Sequence, residues 1–261
     1  MSLRDSALRL LLLLLPVSEL ASQRVETGFL DRAVTVAGQS YPYQVYVPRS
    51  YASAPRWPVI LFLHGGGEGG ADGLLQTAVG LGPAMRQNPA RYPAIVVFPQ
   101  APRDSGWAGV SGEMAMAALE QTLQEFRTDP DRVYLTGLSI GGHGSWALAY
   151  RHADRFAAVA PICGWVTGVA GASRFGPAVP PEAGAPFEAL ARRLGRLPVW
   201  IFHGEVDPVV PVEQSRRAAA ALEAAGAHVR YTELPGTGHN AWDPAYASPE
   251  FSTWLFAQRR R

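Results

Sequence analysis

The stretch Arg132-Val133-Tyr134-Leu135-Thr136-Gly137-Leu138-Ser139-Ile140-Gly141-Gly142 decides the architecture of this chain. Its first five residues form an apolar run that reads as a strand, and the small-residue pattern from Gly144 to His152 reads as the helix that follows. Between them, the spacing Gly-x-Ser-x-Gly sets Ser139 at a sharp strand-to-helix turn. The serine backbone is strained there, and glycines on either side leave room for the two elements to approach closely. The hydroxyl is then held at the carboxyl end of a sheet, near the positive end of a helix dipole. Ser139 is read as a nucleophile, with a plain glycine-rich turn as the competing reading.

The pattern continues on both sides of this turn. Trp57-Pro58-Val59-Ile60-Leu61-Phe62-Leu63 and Ala94-Ile95-Val96-Val97-Phe98 are continuous apolar runs, as expected of strands covered on both faces. Further strands are predicted from Phe156 to Pro161, Leu197 to Phe202 and His228 to Leu234. Helices are predicted near Arg86, from Ser111 to Phe126, from Val212 to Ala225 and from Ser248 to Gln258. Asp129-Pro130-Asp131-Arg132 reads as a turn. Ahead of all these, alternating residues at Arg32–Val36 and Tyr41–Val47 flank Ala37-Gly38-Gln39-Ser40, the mark of an antiparallel hairpin at a sheet edge. Strand and helix alternate through most of the chain. That implies an α/β fold with a mostly parallel twisted sheet and helices on both faces. One insertion, Gly164 to Ala185, is rich in Gly, Pro and Ala; it suits the shaping of a pocket and is too short for a large lid.

Residues 25–261 are expected to form a single α/β catalytic domain, a common size for one such domain. The content of 48% hydrophobic and 17% charged residues suits a substantial core, and a net charge of +1 supplies no strong field toward nucleic acid or acidic membranes. One cysteine, Cys163, rules out an intrachain disulfide and a multi-cysteine metal site. At the N-terminus, Arg4 and Arg9 precede Leu10–Leu15, Pro16, Ser18 and Ala21. Residues 1–24 read either as a secretory signal, giving a secreted or periplasmic protein, or as an amphipathic helix with Leu3, Ala7, Leu10, Leu11 and Leu14 on one stripe. The apolar run is too short to span a bilayer, so no transmembrane anchor is expected.

A serine hydroxyl needs a base to take its proton, and the base needs a carboxylate to fix its tautomer. Asp207 lies in the loop after the strand ending at Phe202, in His203-Gly204-Glu205-Val206-Asp207. His239 lies past the strand ending at Leu234, in Pro235-Gly236-Thr237-Gly238-His239. Ser139, Asp207 and His239 then share the carboxyl edge of the sheet, where ligands bind in open α/β folds. Glu205 is the alternative acid, and His203 with Asp207 the alternative pair of metal ligands, for which no third ligand stands at a recognised spacing. His143 reads as a pocket wall or a partly buried helix residue, and Asp243 as a cap for the last helix. The charge developing on an attacked carbonyl needs preorganised donors. The Ile140 backbone N–H is one candidate, and Gly66, with Gly67 as alternative, is the other, from the loop His64-Gly65-Gly66-Gly67. His64 reads as a structural hydrogen-bonder beneath that loop. Gln100, Trp107, Trp165 and Trp242 are candidates for the pocket wall, with core packing as the competing role for each tryptophan. Cys163 reads as a buried small residue.

Taken together, these motifs resemble the α/β-hydrolase superfamily from about Thr27 to the C-terminus, and the order Ser, Asp, His is the one such enzymes use. More narrowly, Leu63–Glu68, Val97–Gln100, Asp131–Gly142, Pro161–Gly164, His203–Asp207 and Gly238–Trp242 resemble the bacterial predicted-peptidase and phospholipase/carboxylesterase-like group, which neighbours the feruloyl and polyhydroxybutyrate esterases. Ile140 stands where Met is common in that group, which alters nearby packing and keeps the backbone donor. The resemblance implies hydrolysis of short-chain or aromatic acyl esters, free or polymer-linked, through a Ser-His-Asp triad with no metal or organic cofactor. A peptidase or amidase on the same triad, and an inactive hydrolase fold serving as a binding protein, are the competing functions.

Overall fold

The computed structural model describes residues 25–260, so the stretch on which the signal and N-terminal helix readings rest lies outside the described residues. Nine residues, Gly28–Val36, form β1, and Gln39–Val47 form β2. They pair antiparallel from Gly28↔Val47 to Val36↔Gln39. Only Ala37 and Gly38 separate them, and both take positive φ (50° and 78°), as a two-residue hairpin of primed type requires. The loop is therefore two residues shorter than the predicted four, and β2 begins at Gln39 instead of Tyr41.

The other strands are β3 (Trp57–Leu63), β4 (Ile95–Pro99), β5 (Thr128–Leu138), β6 (Ala158–Ile162), β7 (Val199–Gly204) and β8 (Val229–Leu234). All eight belong to one sheet in the order β1-β2-β4-β3-β5-β6-β7-β8. β2 runs antiparallel to β4, and every pairing from β4 to β8 is parallel. The predicted turn at Asp129–Arg132 is instead the start of β5, which Trp57↔Thr128 pairs to β3 before a register shift. Pro130 is accommodated there, at the irregular end of the ladder.

Helices cover both faces. They are α1 (Leu81–Gln87), α2 (Val110–Glu125), α3 (Ile140–Arg151), α4 (Pro186–Leu194), α5 (Glu213–Ala224), α6 (Trp242–Ala247) and α7 (Pro249–Ala257). The period-2 geometry of a strand sorts its residues between two cores. In β3, Val59, Leu61 and Leu63 join the core on the α2–α5 side. Ile60 and Phe62 join the core on the side of α1, α6 and α7. β7 divides likewise, Val199 and Ile201 on one face and Trp200 and Phe202 on the other. An uninterrupted apolar run is what such two-sided burial demands.

Two helices depart from expectation. The stretch between the insertion and β7 forms α4, whose Phe187, Leu190, Ala191 and Leu194 are buried, with Pro186 in its first turn. The C-terminal segment contains two helices. Asp243 does not cap the last helix: it lies in the first turn of α6, where its carboxylate accepts from Asn240 Nδ2 at 2.7 Å, and the last helix is capped by Ser248, whose Oγ accepts from the Phe251 amide. Among the described residues, no helix is long and apolar enough to cross a membrane.

Candidate active site

Six parallel strands deliver their following loops to one edge of the sheet, and Ser139 stands near its middle, between β5 and α3. Its backbone is left-handed (φ 54°, ψ −116°), a conformation that costs a non-glycine residue roughly 1–3 kcal/mol. The surrounding glycines explain how the turn is held. A Cβ on Gly137 would lie 2.5 Å from the Gly141 carbonyl oxygen, and one on Gly142 would lie 2.4 Å from that of Ile162. Ser139 N–H donates to the Ile162 carbonyl at 2.9 Å, which pins the elbow to β6. α3 begins at the next residue, so Ser139 sits at the positive end of its dipole.

His239 reaches this serine from the loop after β8. Its Nε2 lies 2.9 Å from Ser139 Oγ, and its Nδ1 lies 2.7 Å from Oδ2 of Asp207. Asp207 Oδ1 accepts from the amides of Val209 (2.8 Å) and Val210 (3.0 Å). Its side chain is fully buried. Burial alone would raise the carboxyl pKa, but hydrogen bonds from His203, His239, Val210 and Val209 outweigh it and hold the pKa well below the usual carboxylate range. Ser139, His239 and Asp207 thus form one continuous relay. Glu205, the alternative acid, is turned away. It is exposed, and its Oε2 accepts from the Gly236 amide at 2.8 Å, tying down the loop that carries His239.

His64 and its glycines follow β3. His64 Nδ1 donates to the Gly65 carbonyl at 2.6 Å, and Nε2 accepts from the Ala101 amide at 3.0 Å. Both ring nitrogens are satisfied in one neutral tautomer, and burial pushes the pKa down to about 4. His64 is a brace between two loops. Gly66 and Ile140 are neighbours: a Cβ on Gly66 would lie 2.9 Å from Ile140 Cδ1. A Cβ on Gly67 would meet nothing within 4 Å, so that residue faces open space.

The four pocket candidates separate by burial. Trp107 is completely enclosed, with its indole N–H donating to the His64 carbonyl at 3.1 Å and its ring 4.8 Å from that of His64. It presents no surface to a ligand and packs beneath the elbow helix, where a Cβ on Gly144 would strike it. Gln100 is also enclosed. It binds the Gly73 amide at 2.7 Å and reaches the Glu68 carbonyl at 3.1 Å, so it shapes the glycine loop from behind. Trp165 is buried and stacked on His143, with 4.5 Å between centroids and 10° between planes. It heads a small cluster with Val169, Phe175 and Val210 that packs against Ile140. Trp242 alone is partly open, standing edge-on to His239 at 5.3 Å and 89°. His143 is a fully buried core residue whose pKa burial lowers.

Cys163, Asp207 and His239 form a cluster with metal-ligand spacing, their ligand atoms all within 4.8 Å of one another. Asp207 and His239 are already hydrogen-bonded, and burial raises the Cys163 thiol far above its usual pKa, so the set is a poor metal trap. Cys163 also has positive φ (41°). Its backbone N–H donates to the Phe202 carbonyl at 2.8 Å, joining β6 to β7 below the triad.

A family model described as "Putative esterase" matches residues 35–245. The chain belongs to the esterase family. This esterase-family chain is 29% identical over 204 residues to "Putative esterase NocK" of Nocardia uniformis subsp. tsuyamanensis, covering 75% of this chain and 53% of that protein. It is 30% identical over 112 residues to acyl-protein thioesterase 1 of Gibberella zeae, covering 43% of each. The chain therefore spans about half the length of these relatives. A solved thermostable esterase superposes with a TM-score of 0.72 at 31% identity, covering 89% of this chain and 63% of that one. A ferulic acid esterase superposes with a TM-score of 0.69 at 19% identity, covering 87% of this chain and 98% of that one, a likeness of fold. The α/β-hydrolase architecture is shared throughout.

One participant in the esterase-family site was not legible as such. His203, read from sequence as a possible metal ligand, is fully buried with Nε2 3.2 Å from Asp207 Oδ2. Its placement at the end of the β7 apolar run, four residues before the acid, was the available signal.

Proposed function

We propose that the chain is a serine carboxylesterase that hydrolyses short-chain or aromatic acyl esters. The observation that carries this reading is the relay from Ser139 Oγ through His239 to buried Asp207, with Ser139 at positive φ on the elbow. Ser139 Oγ attacks the ester carbonyl as His239 Nε2 takes its proton. Asp207, accepting from Nδ1, fixes the His239 tautomer and stabilises the imidazolium. The backbone N–H groups of Ile140 and Gly66 receive the oxyanion, and the adjacency of these two residues supports that pairing. Gly67 is the alternative donor. His239 then protonates the leaving alcohol, and water, deprotonated by the same base, cleaves the acyl-enzyme and frees Ser139.

Apolar and aromatic side chains border the elbow, which supports a short-chain or aromatic acyl group there. The insertion after β6 contains only short 3-10 turns, at Ser173–Phe175 and Pro181–Ala183, and its Trp165–Phe175 cluster walls one side of Ile140. Trp242 supplies an aromatic edge beside His239. A series of p-nitrophenyl esters of rising acyl length, run beside a feruloyl ester and a matched anilide, tests the substrate class. The reading expects kcat/KM to be highest for short-chain or aromatic esters and far lower for the anilide. Preference for long acyl chains would overturn the substrate class, and preference for the anilide would overturn the esterase assignment.

A further inference from the structure

His203 is enclosed at the end of β7 and approaches the same carboxylate oxygen of Asp207 that His239 binds. Its Nε2 lies 3.0 Å from the Val210 carbonyl oxygen and 3.2 Å from Asp207 Oδ2. Both neighbours are acceptors, so Nε2 must carry a hydrogen. On the far side of the ring, Nδ1 lies 2.6 Å from Oγ of Ser215, a buried residue of α5. With the hydrogen on Nε2, the neutral ring can only accept at Nδ1, and the Ser215 hydroxyl donates there.

The acid is consequently surrounded. Oδ1 takes the Val209 and Val210 amides, while Oδ2 pairs with His239 Nδ1 and lies 3.2 Å from His203 Nε2, whose N–H is shared with the Val210 carbonyl. A carboxylate with no exposed side-chain surface depends on such donors to stay ionised and in one rotamer. Other titratable groups near it are Cys163, just after β6, and Glu233, on β8, which faces His203 while paired to Arg216 and Tyr231.

We propose that His203 is a positioning residue of the active site. Its Nε2–H holds the Asp207 carboxylate in the rotamer that presents Oδ2 to His239, and Ser215 fixes the His203 tautomer that makes this possible. The relay thus extends by two residues beyond the triad, and the proposal rests on the esterase reading of Ser139, His239 and Asp207. Val210 adds a constraint, because its amide binds Asp207 and its carbonyl binds His203, locking the loop 207–210 to the ring.

The test compares His203→Leu, His203→Gln and Ser215→Ala with the parent enzyme on a short p-nitrophenyl ester, reading kcat, KM, the pH profile of kcat and Tm. Leu fills the space without a donor; Gln places an amide N–H near the lost Nε2–H. His203→Leu is expected to lower kcat by about 10- to 100-fold with KM within about twofold, the size typical of groups that orient a catalytic ligand. Its acid limb should move to higher pH, because a carboxylate that has lost a donor leaves more charge to stabilise protonated His239. His203→Gln should recover most of kcat and return the limb. Ser215→Ala should show the same displacement in smaller degree at an unchanged Tm, and it decides the matter if His203→Leu does not fold. An unmoved acid limb in both His203→Leu and Ser215→Ala would overturn the proposal. So would a loss of activity that follows Tm alone with no recovery in His203→Gln. A parent enzyme with no turnover and no fluorophosphonate label on Ser139 would overturn the esterase reading, and this proposal with it.

Discussion

Gly141 sits so close to β3 that a Cβ on it would lie 1.9 Å from the Leu63 carbonyl oxygen. No side chain can be relaxed to make room, because the obstructing atoms are backbone: Leu63 C at 2.5 Å and the His64 carbonyl oxygen at 2.6 Å. The elbow and the His64 loop are thereby pressed together, which brings Ile140 beside Gly66. Gly141→Ala is expected to destabilise the protein by about 3 kcal/mol or more, as backbone is forced apart. Gly67→Ala, with open space around its Cβ, should leave Tm within a degree or two of the parent. Thermal melts of the two variants check the contrast.

Asp207→Asn keeps the volume and exchanges an acceptor for a donor beside His239 Nδ1. The wrong imidazole tautomer is then favoured, and kcat should fall by about 10³- to 10⁴-fold. The same variant reports on stability. The folded-state pKa of Asp207 lies below the value of roughly 3.9 expected for the unfolded chain, so the carboxylate adds stability that is present above about pH 4 and is lost as pH falls below it. The Tm gap between the parent and Asp207→Asn should be constant above about pH 5 and narrow below pH 4.

His64 predicts a pH dependence in a different window. Burial lowers its folded-state pKa to about 4, against a usual value near 6.5. Between these values the unfolded chain binds the proton and the folded chain does not, so stability falls as pH drops from about 6.5 to about 4 and levels off below. The loss amounts to about 3 kcal/mol at most for this one ring. Denaturant midpoints measured across that range should show the slope, and His64→Asn should flatten it.

The tryptophans separate structure from contact. Trp107→Ala opens a cavity under the elbow and strands the His64 carbonyl, so it should cost about 3–5 kcal/mol of stability. Trp242→Ala removes a partly open ring beside His239 and should raise KM for aromatic esters by several-fold with a smaller effect on Tm. Parallel melts and Michaelis curves distinguish them.

The strands were legible because the sheet is buried on both faces. Runs such as Val59–Leu63, Ile95–Phe98 and Val199–Phe202 must be apolar throughout. β8 was weaker, since it is an edge strand with only partly buried residues, and its position followed from the glycine turn before His239. Helix α4 escaped because a Pro- and Gly-rich insertion runs directly into it; its stripe of Phe187, Leu190, Ala191 and Leu194 becomes plain once Pro186 is taken as the first helical residue. At the site, Ser139, Asp207 and His239 could be read because each ends a strand-loop pattern. The roles of Gln100, Trp107 and His203 could not, because they depend on contacts 27 to 43 residues away or across a turn. A sequence marks Trp107 as aromatic near a strand end, and only packing against Gly144 and His64 turns it inward.

The central claim is that Ser139 is the nucleophile of an ester hydrolase. It is tested most directly by the turnover of a short p-nitrophenyl ester by the parent protein and by Ser139→Ala at equal concentration, with circular dichroism confirming that both are folded. The account predicts hydrolysis by the parent and a loss of about 10⁴-fold or more in the variant, down to what oxyanion binding alone supports. A folded Ser139→Ala that keeps more than about 5% of the parent rate, far above that residual level, would contradict it.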